Sequence, residues 1–147
     1  MSNQVELISL QEKRFVGIPV TSPFQDHQPE RIDETRQIFL GRRHEIKAIV
    51  NPQEYVCPHF TSEVLFTYFF CMEVSEISDV PSGMIGFTLP AHLYAQTRSD
   101  LDPYEVIHSF LRDISMESNS RALAFEVYGF DNPQWPSQVD VYVPVKE

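Results

Sequence analysis

Two alternating segments decide the fold of this chain, Arg121-Ala-Leu-Ala-Phe-Glu-Val-Tyr-Gly-Phe130 and Gln138-Val-Asp-Val-Tyr-Val-Pro-Val-Lys146. Side chains of a β-strand point alternately to its two faces. One face of the first segment carries Leu123, Phe125 and Val127, and the other carries Ala122, Ala124, Glu126 and Tyr128. The second segment has an apolar ridge of alternate valines from Val139 to Val145. The pattern predicts a strand pair with one face over a core and one face bearing a carboxylate, which suits a cation-binding cleft.

Composition restricts the kind of ligand. The 147 residues include 11 Lys and Arg against 21 Asp and Glu, a formal net charge of −10. A chain of this length is typical of a single domain with its own core. The negative charge repels nucleic-acid phosphates and favours cationic ligands or basic partners. The alternative is an acidic surface that only maintains solubility.

The sequence has no pattern of a targeting or membrane segment. Its N-terminal residues lack the basic start and apolar run of a signal peptide, and no apolar stretch has membrane-spanning length. We therefore expect a cytoplasmic protein without membrane association. Cys57 and Cys71 lack ligand spacing and do not form a disulfide framework, so both are expected to be partly buried thiols.

The first half of the chain predicts strands, one helix and two more strands. Strands are predicted over Val5–Leu10, Arg14–Val20, Glu54–Phe60 and Leu65–Val74, with a helix from Glu30 to about His44. The segment Leu65–Val74 is rich in aromatic and β-branched residues, which is typical of a central strand. The polar connector Ile77–Ser82 then separates two halves of the chain.

The second half repeats this order. Strands are predicted over Met84–Leu89 and Leu93–Thr97, and the alternating pair described above follows the helix. Asp102 is the predicted N-cap of that helix, Pro103 its first residue, and Ser118-Asn119 its end. Its apolar stripe contains Val106, Ile107, Phe110, Leu111 and Ile114.

The repeated order predicts an α+β fold built from a duplicated β-β-α-β-β module. We expect one domain over residues 1–147, with pseudo-repeats of about 1–77 and 83–147 and no DNA-binding domain. If antiparallel sheets pair edge to edge with both helices on one face, the other face curves into a shared groove. Ligand cavities commonly lie at such junctions.

Three motifs carry a family resemblance. The segment Ile85-Gly-Phe-Thr-Leu-Pro-Ala-His-Leu-Tyr-Ala-Gln-Thr97 resembles an "IPAGxYA" hairpin, Phe125-Glu-Val-Tyr128 an "F-E-x-Y" strand, and Val139-Asp-Val-Tyr-Val-Pro-Val-Lys146 a closing "hydrophobic-x-I/V-Y-I/V-P-I/V-K" strand. Together they resemble the GyrI-like small-molecule-binding family, also called AraC-type effector-binding domains. This family includes multidrug-responsive transcription regulators and stand-alone integron-associated proteins.

The resemblance implies a duplicated fold of the SHS2 type with a cleft between the repeats. It also implies that Glu126 is buried and attracts lipophilic cations among aromatic walls. The family hairpin usually has Gly where this chain has His92. The sequence also contains no helix-turn-helix partner domain, so no direct contact with nucleic acid is expected.

Several aromatic residues are candidates for the walls around Glu126. Strand alternation predicts that Tyr128 and Tyr142 share its face, and Tyr94 joins from the hairpin; each has the alternative of a core or rim tyrosine. In the central strand, Tyr68, Phe70 and Met72 share one face and Thr67, Phe69, Cys71 and Glu73 the other, and either set is a candidate for the cleft. Trp135 is either a lid over the cleft or a packed loop residue.

Other chemistries have little support in the sequence. The five histidines lack paired-ligand spacing, and no Gly-rich phosphate loop is present, so neither a metal nor a cofactor is expected. Cys57 and His59 flank Pro58 without an obvious orienting acid, which disfavours a nucleophilic pair. We therefore assign no catalytic residue.

The sequence predicts a stand-alone effector-binding protein that binds small hydrophobic, cationic compounds, with a link to drug sensing or transcription regulation. One alternative is a GyrI-like hydrolase of small molecules, in which a buried Glu126 beside a tyrosine acts as general base. Another is a protein-interaction inhibitor resembling gyrase-inhibitory members, with an acidic surface facing a regulatory protein. The edge strand Val5–Leu10 allows a homodimer as well as a monomer.

Overall fold

Within the residues that the structure describes, eight strands and two α-helices follow one another in the order that the repeat predicts. The computed structural model describes residues 4–23, 29–61, 65–131, 135 and 137–147. The elements are β1 (Val5–Leu10), β2 (Lys13–Pro23), α1 (Pro29–Arg42) with a 3₁₀ turn (Arg43–Glu45), β3 (Glu54–Thr61), β4 (Leu65–Val74), β5 (Ile85–Leu89), β6 (His92–Thr97), α2 (Pro103–Asp113), β7 (Ala124–Gly129) and β8 (Asp140–Pro144).

The strands form one antiparallel sheet in the order β1-β6-β8-β7-β3-β4-β2-β5. This order is symmetrical about the central pair β3 and β7, which come from corresponding places in the two repeats. The first strand of each repeat pairs with the other repeat, since β1 pairs with β6 and β5 with β2. The predicted duplicated α+β module is therefore confirmed, and the two repeats interlock through exchanged edge strands.

Both helices lie on one face of the sheet, as predicted; we call it the helix face. The ring of Phe39 in α1 lies 6.2 Å from that of Phe70 and 5.8 Å from that of Tyr55. Ile107 and Leu111 of α2 are fully buried against the valine ridge, which runs along β8 from Val139 to Val145. Each helix thus covers the strands of its own repeat.

The opposite, inner face is concave and filled with apolar side chains. In a flat sheet β2 and β7 would lie roughly 14 Å apart, because two strands separate them. Yet the ring centroids of Phe15 on β2 and Phe125 on β7 lie 6.4 Å apart. The sheet curls tightly enough to bury both rings almost completely. The predicted groove on the face away from the helices is therefore wrong, because an aromatic core fills that concave space.

The pairing of β7 with β8 places the valine ridge on the face of Glu126, whereas the alternating pattern suggests that the ridge shares the face of Phe125. Residues directly opposite in an antiparallel pair share a face. Glu126 pairs with Val141, whereas Phe125 pairs with Tyr142. The valine ridge and Glu126 consequently share the helix face. Both strands are also shorter than predicted, ending at Gly129 and Pro144.

The second helix begins as predicted and ends earlier. The Asp102 side chain accepts a hydrogen bond from the Tyr104 backbone N–H at 3.0 Å, which confirms the N-cap. Its end is Asp113 rather than Ser118-Asn119, since Ser115 takes a left-handed φ of 58°. The Met116 N–H then bonds the Leu111 carbonyl at 2.8 Å and closes the helix. Within the described part of the chain, no helix has the length and apolar character needed to cross a membrane.

Substitution of Gly17 should test the close approach of β2 and β4. A methyl group there would overlap the Phe70 carbonyl oxygen and lie 2.6 Å from the Cys71 Cα. Because backbone atoms cannot yield easily, we expect Gly17→Ala to reduce the free energy of unfolding by at least about 2 kcal/mol in urea titrations.

Gly41→Ala is the matched control. Nothing lies within 4 Å of a methyl group at this helical position. Alanine favours helix over glycine by up to about 1 kcal/mol, so this variant should be at least as stable as the parent. Equal stability of both variants would contradict the packing described here.

Candidate functional site

Glu126 lies at the junction of the two repeats. It occupies the middle of β7, faces the helices and pairs with Cys57 of β3. Only 7% of its surface is exposed. A carboxylate at such a position must find polar partners, because burial without them is costly.

Three tyrosine hydroxyl groups supply those partners. Tyr68 donates to Glu126 Oε1 at 2.6 Å, and Tyr128 donates to the same oxygen at 2.8 Å. Tyr104 donates to Oε2. These donors come from β4, β7 and α2, so both repeats contribute to one site. We call Glu126 and these three tyrosines the carboxylate cage.

His59 of β3 lies beside the carboxylate cage and contacts Tyr104. Its Nε2 lies 2.8 Å from the Tyr104 Oη and 3.7 Å from Glu126 Oε2. Tyr104 has one hydroxyl hydrogen, which it gives to Glu126, so it accepts from His59 Nε2–H. Burial lowers the pKa of His59, although the charge of Glu126 partly offsets this. A neutral His59 with its proton on Nε2 follows at neutral pH.

The cage therefore holds a carboxylate without a permanent cationic partner. Among the residues that the structure describes, His59 is the single basic side chain within 4.0 Å of Glu126. Neutral hydroxyl groups satisfy the oxygens but leave the charge uncompensated. A cation that reaches this site would gain a Coulombic attraction that burial strengthens.

The hydroxyl groups remain donors over the physiological pH range. Burial raises the pKa of Tyr104 and of Tyr128 far above the ordinary value, and the nearby charge of Glu126 raises both further. The pKa of Tyr68 is also raised, chiefly by burial. No tyrosinate forms beside the carboxylate, and the three hydrogen bonds persist.

Aromatic faces surround the cage. Tyr55 stacks on Tyr128 with ring centroids 5.3 Å apart, and His59 stacks on Tyr68 at 5.7 Å. Phe70 meets Tyr68 edge-on at 5.2 Å. Faces of this kind attract cations through their negative π clouds.

A cavity of about 360 Å³ adjoins the cage, and His59 and Tyr104 form part of its wall. The other lining residues come from the ends of β3, β4, β7 and β8, from α2 and from the segment before β7: Phe60, Thr61, Phe66, His108, Ser118, Asn119, Ser120, Ala122, Ala124, Val143 and Pro144. Ala124 precedes Glu126 by two residues on the same face, a spacing of roughly 7 Å. The cavity and Glu126 are thus neighbours separated by the His59–Tyr104 pair.

The structure brings only some of the predicted residues together. Tyr128 and Tyr68 contact Glu126, and Phe70 packs beside Tyr68. This places the Tyr68 and Phe70 side of β4 on the helix face.

Tyr94 and Tyr142 lie on the inner face instead, because the register places Tyr142 opposite Phe125 and Tyr94 opposite Pro144. Tyr94 is buried in the aromatic core, and the half-buried Tyr142 packs against it. Tyr94 is satisfied there by the Leu123 carbonyl at 2.9 Å. The prediction that they share the face of Glu126 is therefore wrong.

Trp135 is 49% exposed in the turn between β7 and β8. Residues 132–134 and 136 beside it lie outside the described residues. Its assignment as a lid or a packed loop residue therefore stays a prediction.

Sequence reasoning missed Tyr104 and His59. Tyr104 precedes the buried Ile107 and Leu111 by three and seven residues, so helical periodicity could have placed it on the buried side of α2. His59 alternates with Tyr55 and Cys57 on β3, but only the pairing of β3 with β7 brings it to Glu126.

Among the described residues, neither the two cysteine thiols nor the possible metal ligands meet the requirements of a nucleophilic or metal site. The Cys57 thiol is fully buried, and burial raises its pKa well above the ordinary value. Both cysteines are fully rather than partly buried. In the described ranges of the chain, no group of three or more His, Cys, Asp or Glu side chains is placed to bind a metal ion.

Removal of one cage hydroxyl should cost stability. Tyr68→Phe deletes a donor to a buried carboxylate, and a hydrogen bond to a charged group contributes about 1.5–3 kcal/mol. We expect this decrease in urea unfolding, with Tyr142→Phe on the inner face as the control that changes stability by less. Equal losses would show that the hydroxyl bond is energetically unimportant.

The pH dependence of stability should show that His59 is neutral in the folded protein. Its lowered pKa means that the unfolded chain binds a proton at His59 more readily than the folded chain. Stability contributed by this residue is therefore present at neutral pH and decreases as pH falls below about 6.5. In thermal melts, His59→Gln should lose less stability than the parent between about pH 7 and 5. Parallel curves would contradict a buried neutral histidine.

Comparisons with known proteins agree with this fold. The sequence profile of the Cass2 family, integron-associated effector binding proteins, matches residues 6–145. Comparison with curated protein sequences gave no match.

Three solved structures illustrate the likeness. SAV2435, solved bound to tetraphenylphosphonium, has a TM-score of 0.71 and 16% identity, covering 97% of this chain and 94% of that one. The EcmrR C-terminal domain has a TM-score of 0.69 and 15% identity, with 98% of each chain covered. The integron cassette protein VCH_CASS2 of Vibrio cholerae has a TM-score of 0.56 and 11% identity, covering 97% and 95%.

At these identities the solved structures support the fold alone, whereas the sequence profile spans nearly the whole chain. With its interlocked repeats and its central glutamate, the chain belongs to the Cass2 family of integron-associated effector-binding proteins.

Proposed function

We propose that this protein is an effector-binding protein for small hydrophobic organic cations, with Glu126 as their charge partner. The observation that carries the proposal is a carboxylate that is 7% exposed, accepts hydrogen bonds from three tyrosine hydroxyl groups and has a neutral imidazole as its neighbouring basic group. Such an arrangement satisfies hydrogen bonding and leaves one negative charge to be neutralised.

Charge and shape both favour a diffuse cation. A compact ammonium ion would lose strong hydration on entering, whereas a large organic cation loses little. Cation–π attraction to the tyrosine rings adds about 0.5–2 kcal/mol. An anion of the same shape would meet the Glu126 charge and the net charge of −10.

The 360 Å³ cavity offers room for the apolar body of such a ligand. Phe60 and Phe66 supply aromatic wall, and Ala122 and Ala124 leave space above the sheet. A ligand seated there places its charged centre toward His59 and Tyr104, behind which Glu126 lies. Entry into direct contact with Glu126 requires that one of these two side chains turn aside.

The family and its neighbours support a sensing role. The SAV2435 structure contains tetraphenylphosphonium, a lipophilic cation, and the EcmrR domain comes from a protein solved in complex with DNA. We propose that this chain carries the same kind of ligand-binding function.

Calorimetric titration with two probes of matched shape tests the proposal. Tetraphenylphosphonium carries a positive charge and tetraphenylborate a negative charge on nearly the same framework. We expect the parent protein to bind the cation and reject the anion. Glu126→Gln should weaken cation binding at least about tenfold, equivalent to about 1.4 kcal/mol.

Glu34→Gln is the matched control, because this substitution removes the same charge at an exposed position of α1. It should leave cation affinity unchanged, and far-ultraviolet circular dichroism should confirm that both variants fold. Equal affinity of Glu126→Gln and the parent, or equal binding of both probes, would refute the role of Glu126.

A further inference from the structure

His59 lies between the 360 Å³ cavity and Glu126. It lines the cavity together with Tyr104 and lies 3.7 Å from the Glu126 oxygen on the opposite side. Its side chain is 14% exposed, so the imidazole borders the cavity without being free in solvent. Its bond to Tyr104 couples it to the group that caps Glu126 from α2.

We propose that His59 is an internal competitor for Glu126, whose protonation supplies the positive charge that a bound organic cation otherwise supplies. This inference rests on the proposed function and adds regulation to it. The site accepts lipophilic cations when His59 is neutral and releases them as His59 becomes charged.

The surroundings of His59 make it the group that senses pH here. From the elements packed against it, the titratable groups facing it are Tyr68 of β4, Tyr104 and His108 of α2, and Glu126 of β7, with Cys57 on its own strand. Tyrosines and a buried thiol stay neutral across the range in which an imidazole titrates. Glu126 and His108 are therefore the two other groups that an experiment must separate from His59.

The sign of the effect follows from linkage. A cation beside Glu126 repels a protonated His59, so the complex binds fewer protons than the free protein. Affinity for the cation must then rise with pH and level off above the pKa of His59 in the free protein. Since burial lowers that pKa, the change lies below about pH 6.5.

Tetraphenylphosphonium affinity measured at steps from about pH 7.5 to 5 tests this regulation in the parent, His59→Gln and His44→Gln. Glutamine keeps a donor for Tyr104 and removes the titration. We expect the affinity of the parent to fall at least about threefold more than that of His59→Gln over this range, because affinity declines only below the lowered pKa of His59. His44→Gln, which removes an exposed histidine outside the cavity, should follow the parent, and Glu126 and His108 are present in all three proteins.

The outcomes separate the two proposals. Binding by the parent and His59→Gln with the same pH profile overturns the role of His59 and leaves the proposed function standing. Absence of binding at every pH overturns the proposed function, and this inference with it. If His59→Gln does not fold, as judged by circular dichroism, His59→Leu takes its place with the same expected flattening of the pH profile.

Discussion

The burial of one carboxylate at the centre of the sheet constrains the rest of this structure. Glu126 lies on the strand pair that joins the repeats, where it is almost completely buried. Its donors must therefore come from the protein, and they arrive from β4 of the first repeat and from β7 and α2 of the second. Any shift of one repeat against the other would separate Glu126 from a donor, so the site also fixes how the halves pack.

Curling of the sheet decides where such a site can exist. The concave inner face closes on itself and brings Phe15 within ring contact of Phe125. That face becomes an apolar core rich in aromatic side chains. The helix face remains divided, because each helix covers its own repeat and leaves the central strands between them. The carboxylate cage and the 360 Å³ cavity occupy this central region.

The cage favours a cation because neutral side chains, and no permanently charged one, surround Glu126 within the described part of the chain. Three hydroxyl groups satisfy the carboxylate oxygens without neutralising their charge. His59 completes the shell and remains neutral because burial disfavours its charged form. A guanidinium or ammonium group in the same place would have formed an ion pair within the protein. The neutral shell instead leaves the charge available to a ligand and gives the histidine a position from which its protonation affects binding.

The sequence by itself determined the element order, the Asp102 cap of α2 and the unusual position of Glu126, because alternation, helical periodicity and capping are local properties. Only the tertiary structure decided which face Glu126 occupies and which side chains reach it. Tyr142 and Tyr94 were placed on the wrong face, and Tyr104 and His59 were missed. Strand register, sheet curl and helix docking depend on contacts between residues far apart in the chain, and no local pattern encodes them.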